Sequence, residues 1–364
     1  MTLLSKFSPR NFDWYIFASV AVLASVGLVA IYSVDLSRGS GLLFFRKQII
    51  SAGIGLFFLF AFALAQPSLW QRFSKLIYFF SVSLLVLVLA FGNVVRGAKS
   101  WFSFFGFSFQ PAEFAKVALV LMMAFVATNF GRRFDRPLFF YGTALLAIIP
   151  ACLVIAQPDL GSATIIGAIW FGIMLVLKTR KLHVASILAL IAIVAVMGWF
   201  FLLKDYQKDR LITFVDPGRD PLGSGYNITQ SVIAVGAGKM FGRGLGFGSQ
   251  SQLHFLPEAQ TDFIFSVIGE ELGFAGSAVL MAVFMVLFTR LLIMAKRSNN
   301  DFAAICAYGA LIMFFVQFVT NMGASIGLLP ITGVTLPFVS YGGSSLVISM
   351  MFIGILQSLV SKKY

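Results

Sequence analysis

Charge is scarce in this chain, and the few ionisable residues that fall inside or against its apolar runs are the ones able to do chemistry. The stretch from Leu253 to Gly273 closes the one long polar segment and opens a hydrophobic run reaching about Ala295; Asp262 stands at the junction. A carboxylate there stays in water yet can touch something held in lipid, so it can take a proton from a substrate hydroxyl. Three further places carry ionisable groups at membrane depth, where each costs several kcal/mol unless paired or wet and is a functional candidate for that reason. Glu113 and Lys116 lie three residues apart on one helical face and can pair. Asp159 follows Gln157-Pro158. Glu270 and Glu271 sit ~12–14 Å beyond Asp262, at roughly 1.5 Å per helical residue.

Each of these has a plainer reading. Asp159 can cap a helix N-terminus, and so can Thr261 or Asp262. The Glu113–Lys116 pair can simply hold two helices together. Glu270 and Glu271 can pair with other helices or take part in docking a partner. A carboxylate at a helix N-terminus is also stabilised by about 0.3–1 kcal/mol, which weakens it as a base.

The elements that must position these groups follow from composition. Of 364 residues 59% are hydrophobic and 11% charged, against roughly 45–50% and about 25% in a soluble domain. The apolar residues fall in runs of about 18 or more, enough for a helix to cross a hydrocarbon core of roughly 30 Å. The expected fold is an all-α polytopic membrane protein, one domain over residues 1–364, with about ten transmembrane helices. They fall near 14–33, 48–65, 76–93, 112–130, 138–156, 160–177, 184–203, 262–295, 302–328 and 343–360, and the long segment 204–261 joins the seventh to the eighth. The first run lacks a small-residue cleavage site and is too long for a signal sequence, so it reads as a retained helix.

A net charge of +13 would suggest nucleic acid in a soluble protein. Here it reads as cationic loops facing cytoplasm and anionic lipid, and no nucleic-acid partner is expected. With the N-terminus inside, the cytoplasmic segments hold Arg72, Lys75, Arg136, Lys178, Arg290, Lys296 and others, while the short external loops hold only Arg38, Arg46, Lys47, Arg96 and Lys99. That asymmetry places both termini in the cytoplasm. Cys152 and Cys306 lie in apolar runs without a Cys-x-x-Cys partner, and His183 and His254 are far apart, so neither a disulfide framework nor a helical metal pair is expected.

Three external segments stand out. Residues 94–110 carry Trp101, Phe102, Phe104, Phe105, Phe107 and Phe109 spaced by small residues, which reads either as an interfacial aromatic belt or as a loop gripping lipid. Segment 204–261 is far longer than an ordinary loop. Its Gly242-Arg243-Gly244-Leu245-Gly246-Phe247-Gly248 run lacks the ending of a P-loop, but glycine amides can cradle phosphate. Its apolar stretch 228–241 is too short to span and suits a re-entrant or interfacial helix. The nearly uncharged 329–345, with Pro330, Pro337 and several glycines, suggests a broken helix dipping into the membrane plane.

Several of these pieces, in this order, resemble the SEDS family (shape, elongation, division and sporulation proteins): Arg96-Gly97-Ala98-Lys99-Ser100-Trp101, Gln110-Pro111-Ala112-Glu113-Phe114-Ala115-Lys116, Gln157-Pro158-Asp159-Leu160-Gly161, Asp220-Pro221-Leu222-Gly223-Ser224-Gly225-Tyr226, Phe255-Leu256-Pro257-Glu258-Ala259-Gln260-Thr261-Asp262-Phe263, and Ser340-Tyr341-Gly342-Gly343-Ser344-Ser345. The match covers essentially all ten spans and is closer to the elongation than to the division members. One departure is Gln260, where the family usually has His; a neutral hydrogen-bonder would then stand beside the expected base.

The resemblance implies a peptidoglycan glycosyltransferase of the bacterial cytoplasmic membrane that polymerises lipid II. Its partners would be lipid II, the nascent glycan strand, membrane lipids and a class B penicillin-binding protein that crosslinks the product. An α-linked sugar on pyrophosphate giving a β-linked polymer needs one inverting displacement and a single base, the position Asp262 matches. Lys116, Arg210 and the glycine-rich run are expected to stabilise the leaving pyrophosphate, with a divalent cation (Mg or Mn) able to share that work. Glu113, Trp101, Asp159 and Ser340 complete the expected substrate site. A flippase for the same lipid would also suit charges at membrane depth and broken helices.

Overall fold

The computed structural model describes residues 12–37, 41–95, 98–104, 107–131, 134–186 and 223–360, with a few isolated positions between 189 and 216. Nine of the ten expected spans are helices within those residues: α1 (Trp14–Ser37), α2 (Leu43–Ala63), α3 (Pro67–Phe91), α4 (Pro111–Asn129), α5 (Pro137–Ala156), α6 (Leu160–Val176), then, after a short α7 (Ser224–Ala237), α8 (Ile264–Arg297), α9 (Asp301–Ser325) and α10 (Gly343–Val360). Eight are long and apolar enough to cross a membrane, and α6 is apolar but shorter. The expected seventh span, 184–203, lies outside the described residues apart from its first turn. The chain is therefore a multi-pass membrane protein. Proline opens α3, α4 and α5, where its missing N–H costs nothing, and Asn300 caps α9 by accepting from Phe302 N.

Polar clamps fix which ends of the helices lie together. Asp13, just before α1, donates its N–H to Gln357 Oε1 and accepts from Gln357 Nε2 near the end of α10. Arg290, near the end of α8, pairs with Asp13 Oδ2 at 2.6 Å, and Trp70 at the start of α3 donates to Ser358. Both ends of the described chain thus share one end of the bundle, with Arg72, Lys75, Lys296 and Arg297. The starts of α2, α4, α6 and α10 lie at the other end, where the described residues carry fewer cations.

The all-helix expectation needs one amendment at that other end. Residues 93–109 form a small antiparallel sheet, β1 (Asn93–Val95), β2 (Ala98–Phe104) and β3 (Phe107–Phe109), in the order β1-β2-β3. Aromatic residues such as Trp101 and Phe102 favour a strand; in a helical membrane protein the same residues read as a belt. Ser100 is buried under the sheet.

The break in α8 is a second amendment: Gly269 and Gly273 on this helix are packed against α7 and the loop that follows it. Gly273 leaves helical geometry (φ 68, ψ −164), and the loop after α7 closes over the gap. Arg243 N and Gly244 N donate to the Glu270 and Glu271 carbonyls, while Phe274 N and Ala275 N donate to Lys239 and Met240. Gly242 has φ +80 and no room for a Cβ against the Glu271 carbonyl, so only glycine fits there. The glycine-rich run is a close-packing device for this splice.

Residues 326–342 are irregular backbone rather than the expected broken helix. Their later part, from Val334 to Ser340, is largely buried in protein, as non-helical backbone in a membrane protein must be. Phe338, Val339 and Ser340 are buried, the Val339 carbonyl lies against Gly27 of α1, and Asn321 Nδ2 donates to the carbonyls of Val334 and Asp262.

Candidate active site

A cavity of about 740 Å³ opens at the end of the bundle away from the chain ends, among α2, α3, β2, α4, α6, the turn before α8 and the start of α10. Trp101, Glu113, Lys116, Asp159 and Asp262, which sequence reasoning took from four separate segments, all line it. Hydrogen bonds between the segments hold them around one space. Tyr341 N donates to the Gln260 carbonyl and Ser340 Oγ to the Thr261 carbonyl, tying the turn before α10 to the turn that carries Asp262. Gln48 of α2 bridges the Ser340 carbonyl and Gly342 N. Gln110 N donates to Ser344 Oγ, and Gln110 Nε2 to Asp159 Oδ2. Each rim segment is fixed by at least one partner from another element, the preorganisation a reacting site needs.

Within this frame the carboxylates differ. Asp262 lies in the turn before α8, whose first helical residue is Ile264, so it does not itself begin the helix. Its main chain is pinned from both sides, by Asp262 N donating to the Glu258 carbonyl and by Asn321 donating to its own carbonyl. Asp159 is the N-cap of α6, accepting from Ser162 N at 2.9 Å on Oδ1 and from Gln110 on Oδ2. Burial pushes its carboxyl above the ordinary range, an effect opposed by the Ser162 hydrogen bonds and by the nearby Lys116 ammonium. Glu113 and Lys116 pair at 2.8 Å with both side chains buried. Tyr341 also faces the cavity; burial and then the Asp35 carboxylate push its phenol up, keeping it a neutral O–H at physiological pH.

Below the polar rim the lining becomes apolar: Ile54 of α2, Phe80 and Leu84 of α3, Phe114 of α4, and Val347, Ile348 and Met351 of α10. Ile54 is 37% exposed and Phe80 56% exposed, so this apolar end reaches the outside of the bundle at mid-helix. A molecule with a charged head and a hydrocarbon tail can therefore sit with each part in matching surroundings.

Three expected contributors lie elsewhere, and a fourth lies outside the described residues. Ser340 is behind the wall, its hydroxyl used by Leu336 N and the Thr261 carbonyl. Gln260 is buried and outside the lining, so it does not stand in for a histidine beside the base. The glycine-rich run is at the α8 splice, where its Gly246 N meets Ser33. Arg210 lies outside the described residues. Glu270 and Glu271 are also remote: Glu270 accepts from Gln250 N and Ser251 N, and Glu271 from Ser33 and Gln252. They hold the external segment to α8 and leave the partner-docking reading without support. Lining residues that sequence reasoning passed over are Lys47, Ser51, Gln110, Tyr341, Ser344 and Ser345; the signal was Lys47, Ser51 and Ile54 at i, i+4 and i+7, one face of α2.

Among the described residues no three His, Cys, Asp or Glu side chains converge to hold a metal. The lining carboxylates Glu113 and Asp159 are already engaged. A site of three protein ligands for a divalent cation is therefore not found among the described residues.

A profile of the FtsW/RodA/SpoVE family, described as "Cell cycle protein", matches residues 13–364. The chain is 39% identical over 319 residues to the peptidoglycan glycosyltransferase MrdB of Escherichia coli (strain K12), covering 86% of this chain and 85% of that one. It is 36% identical over 349 residues to the stage V sporulation protein E of Bacillus subtilis (strain 168), covering 92% and 93%. Among solved structures it resembles a chain described under "Structural coordination of polymerization and crosslinking by a peptidoglycan synthase complex", with TM-score 0.82, 30% identity and coverage of 96% and 97%. It also resembles the rod shape determining protein RodA of Thermus thermophilus, with TM-score 0.71, 27% identity and coverage of 96% of both chains.

Proposed function

The chain belongs to the FtsW/RodA/SpoVE family and is a peptidoglycan glycosyltransferase; from that premise we propose that its cavity polymerises lipid II for wall elongation, at the outer face of the cytoplasmic membrane. The observation that carries this reading is the cavity itself, which brings Asp262, an ion pair and an aromatic rim to the head of an apolar channel open at mid-helix. Asp262 takes the proton from the 4-hydroxyl of the acceptor sugar as that oxygen bonds to C1 of the donor. The C1–O bond to phosphate breaks on the opposite face, its electron pair leaving on the pyrophosphate. One displacement of this kind inverts the anomeric centre and needs no second carboxylate as nucleophile.

The remaining residues orient and hold. Glu113 and Lys116 set a buried dipole along the wall, Asp159 fixes the start of α6 against Gln110, and Trp101 on β2 offers a flat face to a sugar ring or prenyl unit. The outer-face placement is supported by the chain ends and most loop cations sharing the opposite end of the bundle. Both termini are then cytoplasmic. A class B penicillin-binding protein is the proposed crosslinking partner, supported by the likeness to a chain from a peptidoglycan synthase complex.

The test is labelled lipid II supplied to the purified protein in liposomes, scored both for glycan polymer and for movement between leaflets. Polymer without accelerated movement is the expected result. Movement without polymer would assign the cavity to a flippase.

A further inference from the structure

Two lysines line the cavity, and they are not equivalent. Lys116 is neutralised by Glu113 at 2.8 Å. Lys47 is partly buried on α2, and its ammonium has neither a carboxylate nor a hydrogen-bond acceptor among the described residues. Asp35, at the end of α1, accepts from Phe45 N. An ammonium left unpaired beside a largely apolar cavity is a standing demand for an anion.

The surroundings specify what kind. Ser51, one turn after Lys47, lies against Gly343, where a Cβ would meet its Oγ at 2.6 Å. That close approach brings the Lys47 face of α2 against the first turn of α10. There the amides of Gly343, Ser344 and Ser345 have no acceptor among the described residues, and all three residues line the same space. Polar hydrogens and one positive charge thus line the same cavity, the combination that binds phosphate oxygens. Further along the same face of α2 comes Ile54, roughly 10 Å from Lys47 at 1.5 Å per residue, where the cavity meets the outside of the bundle. On α10 the order repeats, Ser344 and Ser345 followed by Val347, Ile348 and Met351. Both walls run from anion-binding to apolar in the same direction.

We propose that Lys47 is the cation that binds the pyrophosphate of a prenyl-linked donor, with Ser51 and the first amides of α10 completing the subsite and the prenyl chain leaving past Ile54 and Phe80. This rests on the glycosyltransferase reading and fills the role that sequence reasoning gave to Lys116, Arg210 and the glycine run. When the C1–O bond breaks, the charge gained by the pyrophosphate oxygen falls beside an ammonium that no carboxylate among the described residues pairs with.

The test is equilibrium binding of farnesyl pyrophosphate, with farnesol as the uncharged control, to the full chain in zwitterionic nanodiscs. Lys47→Ala should weaken farnesyl pyrophosphate by roughly tenfold or more, Lys47→Arg should restore most of it, and farnesol should bind all three proteins alike. Equal farnesyl pyrophosphate binding by wild type and Lys47→Ala overturns the proposal, as does an equal loss of farnesol, which would mean a collapsed cavity. Phosphatidylglycerol nanodiscs separate the two sources of lipid phosphate; abolition of farnesyl pyrophosphate binding there makes Lys47 a headgroup site and overturns its role toward the donor. Polymer formation with no Lys47 dependence in KM would sink this inference and leave the function. Lys47-dependent binding without any polymer would sink the function and leave the subsite.

Discussion

Two groups of carboxylates flank the start of α8, eight residues apart, and the molecule treats them in opposite ways. Glu270 and Glu271 are fully buried; both oxygens of Glu270 accept from the amides of Gln250 and Ser251, and Oε1 of Glu271 accepts from Ser33 and Gln252, while its Oε2 meets no partner among the described residues. Asp262 is only partly buried, is held by its main chain, and faces a cavity large enough for a substrate. The first pair spends its charge on holding a loop; the second keeps its side chain turned to the space where a substrate would lie. Access to a substrate-sized cavity, rather than depth in the membrane, separates the chemical carboxylate from the structural ones.

Variants can break or sharpen this contrast. The intermediate case is Glu113–Lys116, buried like the glutamates yet lining the cavity. Lys116→Ala leaves Glu113 without its partner and should cost about 3–5 kcal/mol of stability, read by unfolding in detergent, together with turnover. Stability unchanged while turnover falls would move the pair to the chemical side of the comparison. Glu270→Ala strips the acceptor from Gln250 N and Ser251 N and should cost roughly 2–4 kcal/mol, with hydrogen exchange rising over 239–252. Polymer formation by the surviving folded fraction should be near normal; a specific activity lost in full would mean that Glu270 acts beyond its scaffold.

Asp159 gives a smaller effect. Asp159→Ala removes the α6 cap and should cost about 1 kcal/mol. Asp159→Asn keeps a capping oxygen and supplies a pH test. Burial raises the folded-state pKa of Asp159, so the fold favours the protonated acid. That stabilising contribution is full below the ordinary carboxylate pKa and is lost as pH rises through the raised one. The melting temperature of Asp159→Asn, which stays neutral, should therefore gain on wild type across that window; a wild-type advantage growing with pH would contradict it. The smallest effect belongs to Cys152, exposed on α5 and away from the cavity. Cys152→Ser should leave polymerisation unchanged, and its loss would bring cysteine chemistry back into the account.

How much was legible in the sequence follows the same division. Span positions read well because a long apolar run in lipid has one stable solution, a helix. The strands of 93–109 were hidden because aromatics at the membrane boundary have an equally good explanation as anchors. The glycines of 242–248 misled for a different reason: glycine exposes amides and also permits close packing, and only the carbonyls of Glu270 and Glu271 decide between these uses. Glu113, Asp159 and Asp262 were found because charge near lipid is conspicuous. Lys47 was passed over as one more loop cation, since what singles it out is that no carboxylate among the described residues pairs with it, a property of the packed helices and not of its neighbours in the chain.

The most direct measurement is a single-turnover experiment on Asp262→Asn loaded with labelled lipid II, with bound substrate and glycan product counted in the same sample. The account predicts substrate bound within about threefold of wild type and glycosidic bond formation slowed by roughly 10²–10⁴-fold, with the melting temperature preserved. Product formed at the wild-type rate by the folded variant would contradict it, since Asp262 would then not be the base and the cavity would need another chemistry.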